Sequence, residues 1–373
     1  MALRDTPWLA LVMLCAGIGC SAEHVVGSLG WGKAVRYEAA AAQALALADF
    51  DGDGFADAVT QGTDQTTLCF YRGQTGRGLL APVCQTMADA ASTLCAGPIL
   101  GTGAQLLRAG KKLFQLSVTA DGRFVQQAAY PLAAGGGAKR LFALDVSSDA
   151  VPDALVLSDA PPRLQVWRTD PGGLTPAGDY ALPVVGQAVL YQDLSGDGYP
   201  ELAVLLADTL VLLGPRGVAQ GCTSPRFLAP VALWPVWHDF AALLVLDAAT
   251  RRLSILRARP DRNGVWDCAG SLPLPPPAPG LTADGAQPVA AAVDLDNDGQ
   301  QELVVSEPTG VLSAFRYRLG EVTAWTHTAT GETWSALAAA DLDGDGHMDL
   351  VGLSTAGDAL VVVANGFGPS RRL

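Results

Sequence analysis

Short apolar runs punctuate this chain from end to end, and their period is two rather than 3.6. In WSALAAAD small or polar residues alternate with apolar ones, and MDLVGLS and ALVVVAN follow, separated by Gly and Asp. Such alternation, bounded by turn residues, predicts β-strands. A fourth, less regular run completes most units: LLAPVCQTM after TLCFYRG, FVQQAAYPL after LFQLSV, LTPAGDYAL after LQVWRT. Four antiparallel strands in one short repeat predict a propeller blade.

Between the first and second strands stands an acidic loop, written five times: ADFDGDGFADAV, DVSSDAVPDAL, DLSGDGYPELAV, DLDNDGQQELVV and DLDGDGHMDLVG. Their first acids, Asp49, Asp145, Asp193, Asp294 and Asp341, are 96, 48, 101 and 47 residues apart. Two intervals equal one unit and two equal a doubled unit, which is the mark of a repeat architecture. Blades without the acidic loop are expected where the doubled units place one, near residues 97 and 243, and both stretches keep the later strands. Seven blades of about 48 residues then fill residues 21–373. Numbered by blade, the acidic loops are 1, 3, 4, 6 and 7.

The ends of the chain predict how the ring closes. ALVVVANGFGPSRRL stops after a third strand, whereas GWGKAVRYEAA matches a fourth-strand position. The first strand is therefore expected to complete the last blade and cover the edges an open array would expose. The fold class expected is all-β, a seven-bladed propeller of four-stranded blades closed by the N-terminal strand. A long solenoid is the alternative, and the polar end caps it needs are missing from the sequence.

Charge narrows the partners. Against 37 Asp and Glu stand only 24 Lys and Arg, a formal net charge of −13. That balance repels nucleic acid and lacks the basic stripe such binding needs. Fifteen of the 37 acids sit at ligand positions of loops 1, 4, 6 and 7 and repel one another in the absence of a cation.

The amino terminus reads as an export signal over residues 1–20. After Met1 and Arg4 comes WLALVMLCAGIG, an apolar run too short to span a bilayer comfortably and followed by small residues. Gly17-Ile18-Gly19-Cys20 is similar to a bacterial lipobox, which makes Cys20 the candidate lipidated residue. Cleavage near Ala22, or retention of the segment, are the alternatives. An exported chain is expected, as an outer-membrane lipoprotein or a periplasmic or extracellular protein, with membrane contact only through a lipid anchor and no transmembrane helix. Export also permits disulfides. Cys69 and Cys84 flank RGQTGRG, a spacing compatible with a cross-strand pair. Cys222 and Cys268 occupy equivalent repeat positions and offer a second pairing; with Cys95 the set of five is odd, and the connectivity is otherwise open.

Loop chemistry follows from spacing. In loop 1 the carboxylates at positions 1, 3 and 5, Asp49, Asp51 and Asp53, are expected to turn inward. Gly54 at position 6 permits a left-handed backbone, Phe55 offers its carbonyl, and Asp57 at position 9 closes the shell. Oxygen-only ligands at alternate positions suit a hard cation such as Ca2+. The same reading assigns Asp193, Ser195, Asp197, Tyr199 and Glu201 in loop 4. It assigns Asp294, Asp296, Asp298, Gln300 and Glu302 in loop 6, and Asp341, Asp343, Asp345, His347 and Asp349 in loop 7. At position 7 the backbone ligates, so the His347 side chain is expected to face solvent. Loop 3, Asp145 to Asp153, has Ser147 at position 3 and Ala150 where Gly is wanted, so weak metal binding or none is expected there. An EF-hand would close at position 12 and needs flanking helices, which the β-patterned flanks exclude. Acidic turns held by Asx hydrogen bonds without an ion are the alternative for every loop.

With these loops and flanking strands, DFDGDGFADAV, DLDNDGQQELVV and DLDGDGHMDLV, the chain resembles the FG-GAP/VCBS repeat proteins, whose relatives include the integrin α-chain propeller. The resemblance implies Ca2+ at hairpins on one face of a seven-bladed ring, at about four sites here, with partners commonly bound elsewhere. It implies little about role, since one ring serves adhesion, carbohydrate binding, scaffolding and some lyases.

Catalytic signals are weak. His24, His238, His327 and His347 are scattered, and neither GxSxG nor HExxH occurs. GSLGWGK imitates a phosphate loop but continues with Ala34 and lacks a strand-loop-helix context. ALWPVWHDF, with Trp234 and Trp237, reads either as a sugar- or protein-binding patch or as filling between blades. The function expected is a non-catalytic protein- or glycan-binding module, for adhesion or scaffolding, at the cell envelope. A polysaccharide lyase or hydrolase of propeller type that uses Ca2+ is the alternative; it would need a base, an acid and Arg or Lys in one pocket.

Overall fold

A computed structural model of the chain describes residues 30–365, apart from 76–77, 100–102, 134–136, 193–199, 207, 215–216, 221–229, 239, 248, 259–265, 276–287 and 319. The alternating runs fold into seven four-stranded antiparallel sheets, five of them meanders of consecutive strands, while blade 1 carries a two-stranded hairpin, Gly73–Gln74 with Gly78–Leu79, between its third and fourth strands. Blade 1 runs through Ala42–Ala48, Asp57–Gly62, Thr67–Tyr71 and Val83–Thr86; only the second half of LLAPVCQTM forms its outer strand. Blade 6 comprises Val289–Val293, Glu302–Glu307, Val311–Arg318 and Glu321–Ala329. Among the described residues no helix is long and apolar enough to cross a membrane.

Blade 7 closes the ring. Its own strands are Trp334–Ala340, Asp349–Ser354 and Ala359–Val363, and the fourth is the N-terminal Val35–Glu38, which pairs Val35 with Val362 and Glu38 with Ala359. Gly32 N–H donates to Ala364 O at 2.7 Å and Trp31 bridges Asn365, so the end of the phosphate-loop mimic belongs to this closure.

Position in the ring explains strand composition. The first strands touch one another in sequence around the axis, the last of them meeting the first, and the space there is narrow. They are accordingly rich in small residues, as AQALALA, VAAAV and WSALAAA show. Second strands such as ELVVSE and DLVGLS are buried along their whole length.

Period-two alternation sends successive side chains of one strand to opposite neighbours. Leu303 and Val305 pack on blade 5 beside Trp234, Leu244 and Leu246, while Val304 packs on blade 7 beside Leu350, Val361 and Val363. The core consists of such clusters between adjacent blades, including one between blades 7 and 1 that holds Val351, Leu360, Ala58 and Tyr71. A blade therefore has no private core, and ring closure is a condition of stability. Cys69 and Cys84 face each other across blade 1 and are joined by a disulfide. Cys222, like the expected signal segment with Cys20, lies outside the described residues.

Candidate metal centres

Loops 1, 3, 6 and 7 each join the first strand of a blade to the second, and they share one backbone shape. Positions 4 and 6 are left-handed in all four: Gly52 and Gly54, Ser148 and Ala150, Asn297 and Gly299, Gly344 and Gly346. This turn aims backbone N–H groups at the position-1 acid. Asp49 accepts from Gly52 N at 2.7 Å, Asp53 N at 3.1 Å and Gly54 N at 2.9 Å, and Asp341 accepts from Gly344, Asp345 and Gly346 at 2.8, 3.1 and 2.9 Å. Asp145 does the same for Asp149 N and Ala150 N, so loop 3 takes the shape without its glycines. Ala150 at φ 68° carries the strain that a side chain meets in the left-handed region.

The position-9 acids are buried at the head of the second strand, where they tie three pieces of chain together. Asp57 accepts from Phe50 N at 2.9 Å and Gly73 N at 2.8 Å; Asp349 accepts from Leu342 N at 3.2 Å and Asn365 N at 2.7 Å. Asp153 holds Val146 N, Ser147 N and Thr169 N in the same way. Burial pushes Asp57 up to about 7 and Asp349 up to about 6, with neighbouring carboxylates adding to both. Glu302, also raised to about 7 by burial, accepts from Leu295 N at 2.9 Å with one oxygen and from Arg316 Nε at 3.0 Å with the other.

Three groups of carboxylates converge among the described residues: Asp49, Asp51 and Asp53; Asp294, Asp296 and Glu302; Asp341, Asp343 and Asp349. Within each group one oxygen per residue lies within 4.8 Å of the others, a spacing that could hold a metal ion. In loop 6, Asp294 Oδ1 and Asp296 Oδ1 are buried and accept no hydrogen bond. Buried anionic oxygens without donors are costly unless a cation reaches them, so these residues fit a divalent ion.

Residues 261–352, the stretch carrying loops 6 and 7, match the sequence model of the FG-GAP-like repeat family. The chain is a seven-bladed propeller that carries FG-GAP-like repeats over that stretch. The ring is similar to BBS1N in two crystal structures of its complex with ARL6DN. In the one soaked with mercury, BBS1N is 14% identical, with 90% of this chain and 96% of that chain covered and a TM-score of 0.62. In the one soaked with lead, the values are 15%, 93%, 99% and 0.63. At that identity the likeness speaks for the fold alone. A comparison with curated proteins gave no sequence match.

Within this FG-GAP ring the predicted ligands are distributed unevenly. Asp53 and Asp345 are exposed, and their carboxylates accept from Phe55 N at 3.0 Å and His347 N at 2.9 Å. Asp298 accepts from Gln300 N at 2.8 Å, and Phe55 and Gln300 are partly buried. Of loop 4, Asp193, Ser195, Asp197 and Tyr199 lie outside the described residues, and Glu201 opens the second strand of its blade. His347 departs from expectation. Its side chain is 6% exposed rather than solvent-facing, because loop 7 leans on blade 6: Asn297 Nδ2 donates to Gly346 O at 2.5 Å and lies 3.5 Å from His347 Nδ1. Trp234 is fully buried between blades 5 and 6, and its Nε1–H donates to Gln301 O at 2.9 Å, so it supports loop 6 and is closed to ligands. The side chain of Trp237 lies outside those described.

Sequence reasoning missed a set of arginines. Continuing the registers Ala58 with Tyr71, Ala154 with Trp167 and Leu303 with Phe315 by one residue brings opposite the position-9 acid Arg72, just past the third strand of blade 1, and Arg168 and Arg316 on the third strands of blades 3 and 6. Arg72 Nε stands 2.5 Å from Asp51 Oδ2. Arg316 holds both Asp296 and Glu302, whereas Arg168 turns to Asp170 at 2.7 Å. The signal was present in the repeats themselves, as FYR, VWR and AFR against VVA in blade 7.

Proposed function

We propose that this FG-GAP propeller is an exported, calcium-stabilised module that binds a protein or glycan at the cell envelope and carries out no chemistry of its own. The observation that carries the reading is the convergence of carboxylates in loops 1, 6 and 7 on left-handed turns that leave oxygen-only ligand sets. In each, Ca2+ would be held by the position-1 and position-3 acids with their loop partners: Asp49, Asp51 and Asp53; Asp294 and Asp296; Asp341, Asp343 and Asp349. Its contribution is structural, since an ion bound only by the folded loop stabilises the fold by mass action. With loop 4 included, four ions would bring the formal charge from −13 to about −5.

Protein binding is supported by the company the fold keeps, since BBS1N, similar over nearly its whole length, was crystallised in complex with ARL6DN. Export is supported by the Cys69–Cys84 disulfide, a bond that persists in oxidising compartments, together with the apolar segment that precedes Cys20. We place the propeller in residues 21–373 and the lipid, where present, on Cys20.

Thermal unfolding of residues 21–373 in EDTA, then in millimolar Ca2+ or Mg2+, tests the metal. A calcium-selective rise in midpoint, smaller in Asp51→Ala and Asp343→Ala, is expected; equal midpoints in all three conditions would remove calcium from the proposal. Pull-down from membranes tests the partner, and turnover of uronic-acid polymers by the purified chain would overturn the non-catalytic reading.

A further inference from the structure

We propose that Arg316 is a built-in counter-ion of loop 6, which holds the loop in shape and lowers its affinity for a divalent cation. This rests on the calcium reading above. The guanidinium pairs with Asp296 Oδ2 through Nη2 and with Glu302 Oε1 through Nε at 3.0 Å. It therefore bridges positions 3 and 9, two of the acids whose oxygens converge in this loop. Its opposite face lies against the Trp325 ring, 3.5 Å from the centroid, and the side chain is 18% exposed. A planar cation clamped between an aromatic face and two carboxylates is held in place rather than sampling solvent. Arg318 adds a second positive charge, 3.2 Å from Asp298.

Acceptor use shows what is left for a metal. Both Glu302 oxygens and one Asp296 oxygen are engaged, and Asp294 Oδ2 accepts from Gly299 N at 3.0 Å. Asp294 Oδ1 and Asp296 Oδ1 remain without donors. A divalent ion seated on those two oxygens shares Asp296 with the guanidinium and meets its charge at short range in a partly buried site. The ion binds against that charge, and the loop keeps its closing bonds without it. In blade 7 the position paired with the closing Asp349 is Ala364, by the register Leu350 with Val363, so this device is absent from that position.

The test uses Tb3+ as the probe, with emission excited through tryptophan; the part lost in Trp325→Phe reports loop 6. In Arg316→Met, which keeps a stem against Trp325 and removes the charge, the Trp325-dependent midpoint should fall to roughly a tenth of the parent's Tb3+ concentration or lower, the scale on which one adjacent charge shifts proton affinity. Arg316→Lys should stay near the parent. Arg316→Gln should follow Met, which keeps the test decisive if the Met variant folds poorly. A midpoint unchanged or raised in the neutral variants would overturn the proposal and make Arg316 a supporter of the metal site. Calcium response lost in Asp343→Asn bears on the wider calcium reading and is read separately, so the two fail independently.

Discussion

Loops 6 and 7 sit on neighbouring blades, share a left-handed turn and a position-9 carboxylate that caps a backbone N–H, and are tied to each other through Asn297. They differ in what stands opposite that carboxylate. In blade 6 it is a guanidinium stacked on Trp325; in blade 7 it is the methyl group of Ala364. Blade 7 instead gives Asp349 a second backbone donor, Asn365 N, and Asn365 Nδ2 donates in turn to Leu295 O at 2.8 Å in loop 6. On the proposed calcium reading, the same acidic motif thus has two ways of being neutralised, by chain and by ion, and the motif alone does not distinguish them.

The largest effect expected from this difference is at the closing acids. Asp349→Ala strands two buried N–H groups, Leu342 and Asn365, and should cost about 2–5 kcal/mol in urea unfolding even in EDTA. Glu302→Ala strands Leu295 N and leaves Arg316 without one of its two partners, a loss of similar order. Adding Arg316→Met to Glu302→Ala should then recover about 1 kcal/mol, because the neutral side chain no longer misses the carboxylate. No recovery would break the coupling on which the comparison rests.

Next in size is the calcium response. A site held at a hundred times its dissociation constant adds about 2.7 kcal/mol to the folded state. Asp343→Asn should remove much of the calcium-induced rise in thermal midpoint, whereas Asp296→Asn should remove little of it and lower the midpoint already in EDTA, by loosening Arg316. Equal calcium losses in the two variants would merge the loops into one class.

Acid sharpens the picture from another side. In EDTA, Asp57, Glu302 and Asp349 have folded values near 7, 7 and 6, above their ordinary 3.8, 4.5 and 3.8. The folded state then binds more protons than the unfolded one, so these groups contribute most stability below about pH 4 and lose it as pH rises through 6 to 7. The EDTA midpoint should fall across that window, and saturating Ca2+, which favours the ionised carboxylates, should flatten the fall. A midpoint rising from pH 5 to 7 in EDTA would contradict this.

Ring, blade count and closing strand were legible because period-two alternation and the 48-residue spacing are properties of the chain itself. WSALAAAD and ELVV name the inner and second strands by their side-chain sizes alone. The disulfide was legible only as one compatible pairing. What escaped was contact between repeats. His347 is buried because a neighbouring blade supplies Asn297; for Trp234 the sequence offered filling between blades as one of two readings, and its place under blade 6 is that one. Arg316 escaped for a different reason: its register partner Glu302 is 14 residues away, beyond any loop-length motif, and only pairing strand against strand brings the two together.

The smallest expected effect compares loop 7 with loop 3 at position 6. An ideal Cβ on Gly346 meets nothing within 4 Å, so Gly346→Ala tests the left-handed backbone and nothing else. It should cost about 1–2 kcal/mol. Ala150 already bears that conformation at φ 68°, and Ala150→Gly relieves it while adding roughly 0.5–1 kcal/mol of unfolded-chain entropy, for a net gain below about 1 kcal/mol. If instead Ala150→Gly destabilises by as much as Gly346→Ala, the two turns are not held by the same physics. Asp145, whose two bonds to Asp149 and Ala150 hold loop 3, would then be carrying less of that loop than its hydrogen bonds imply.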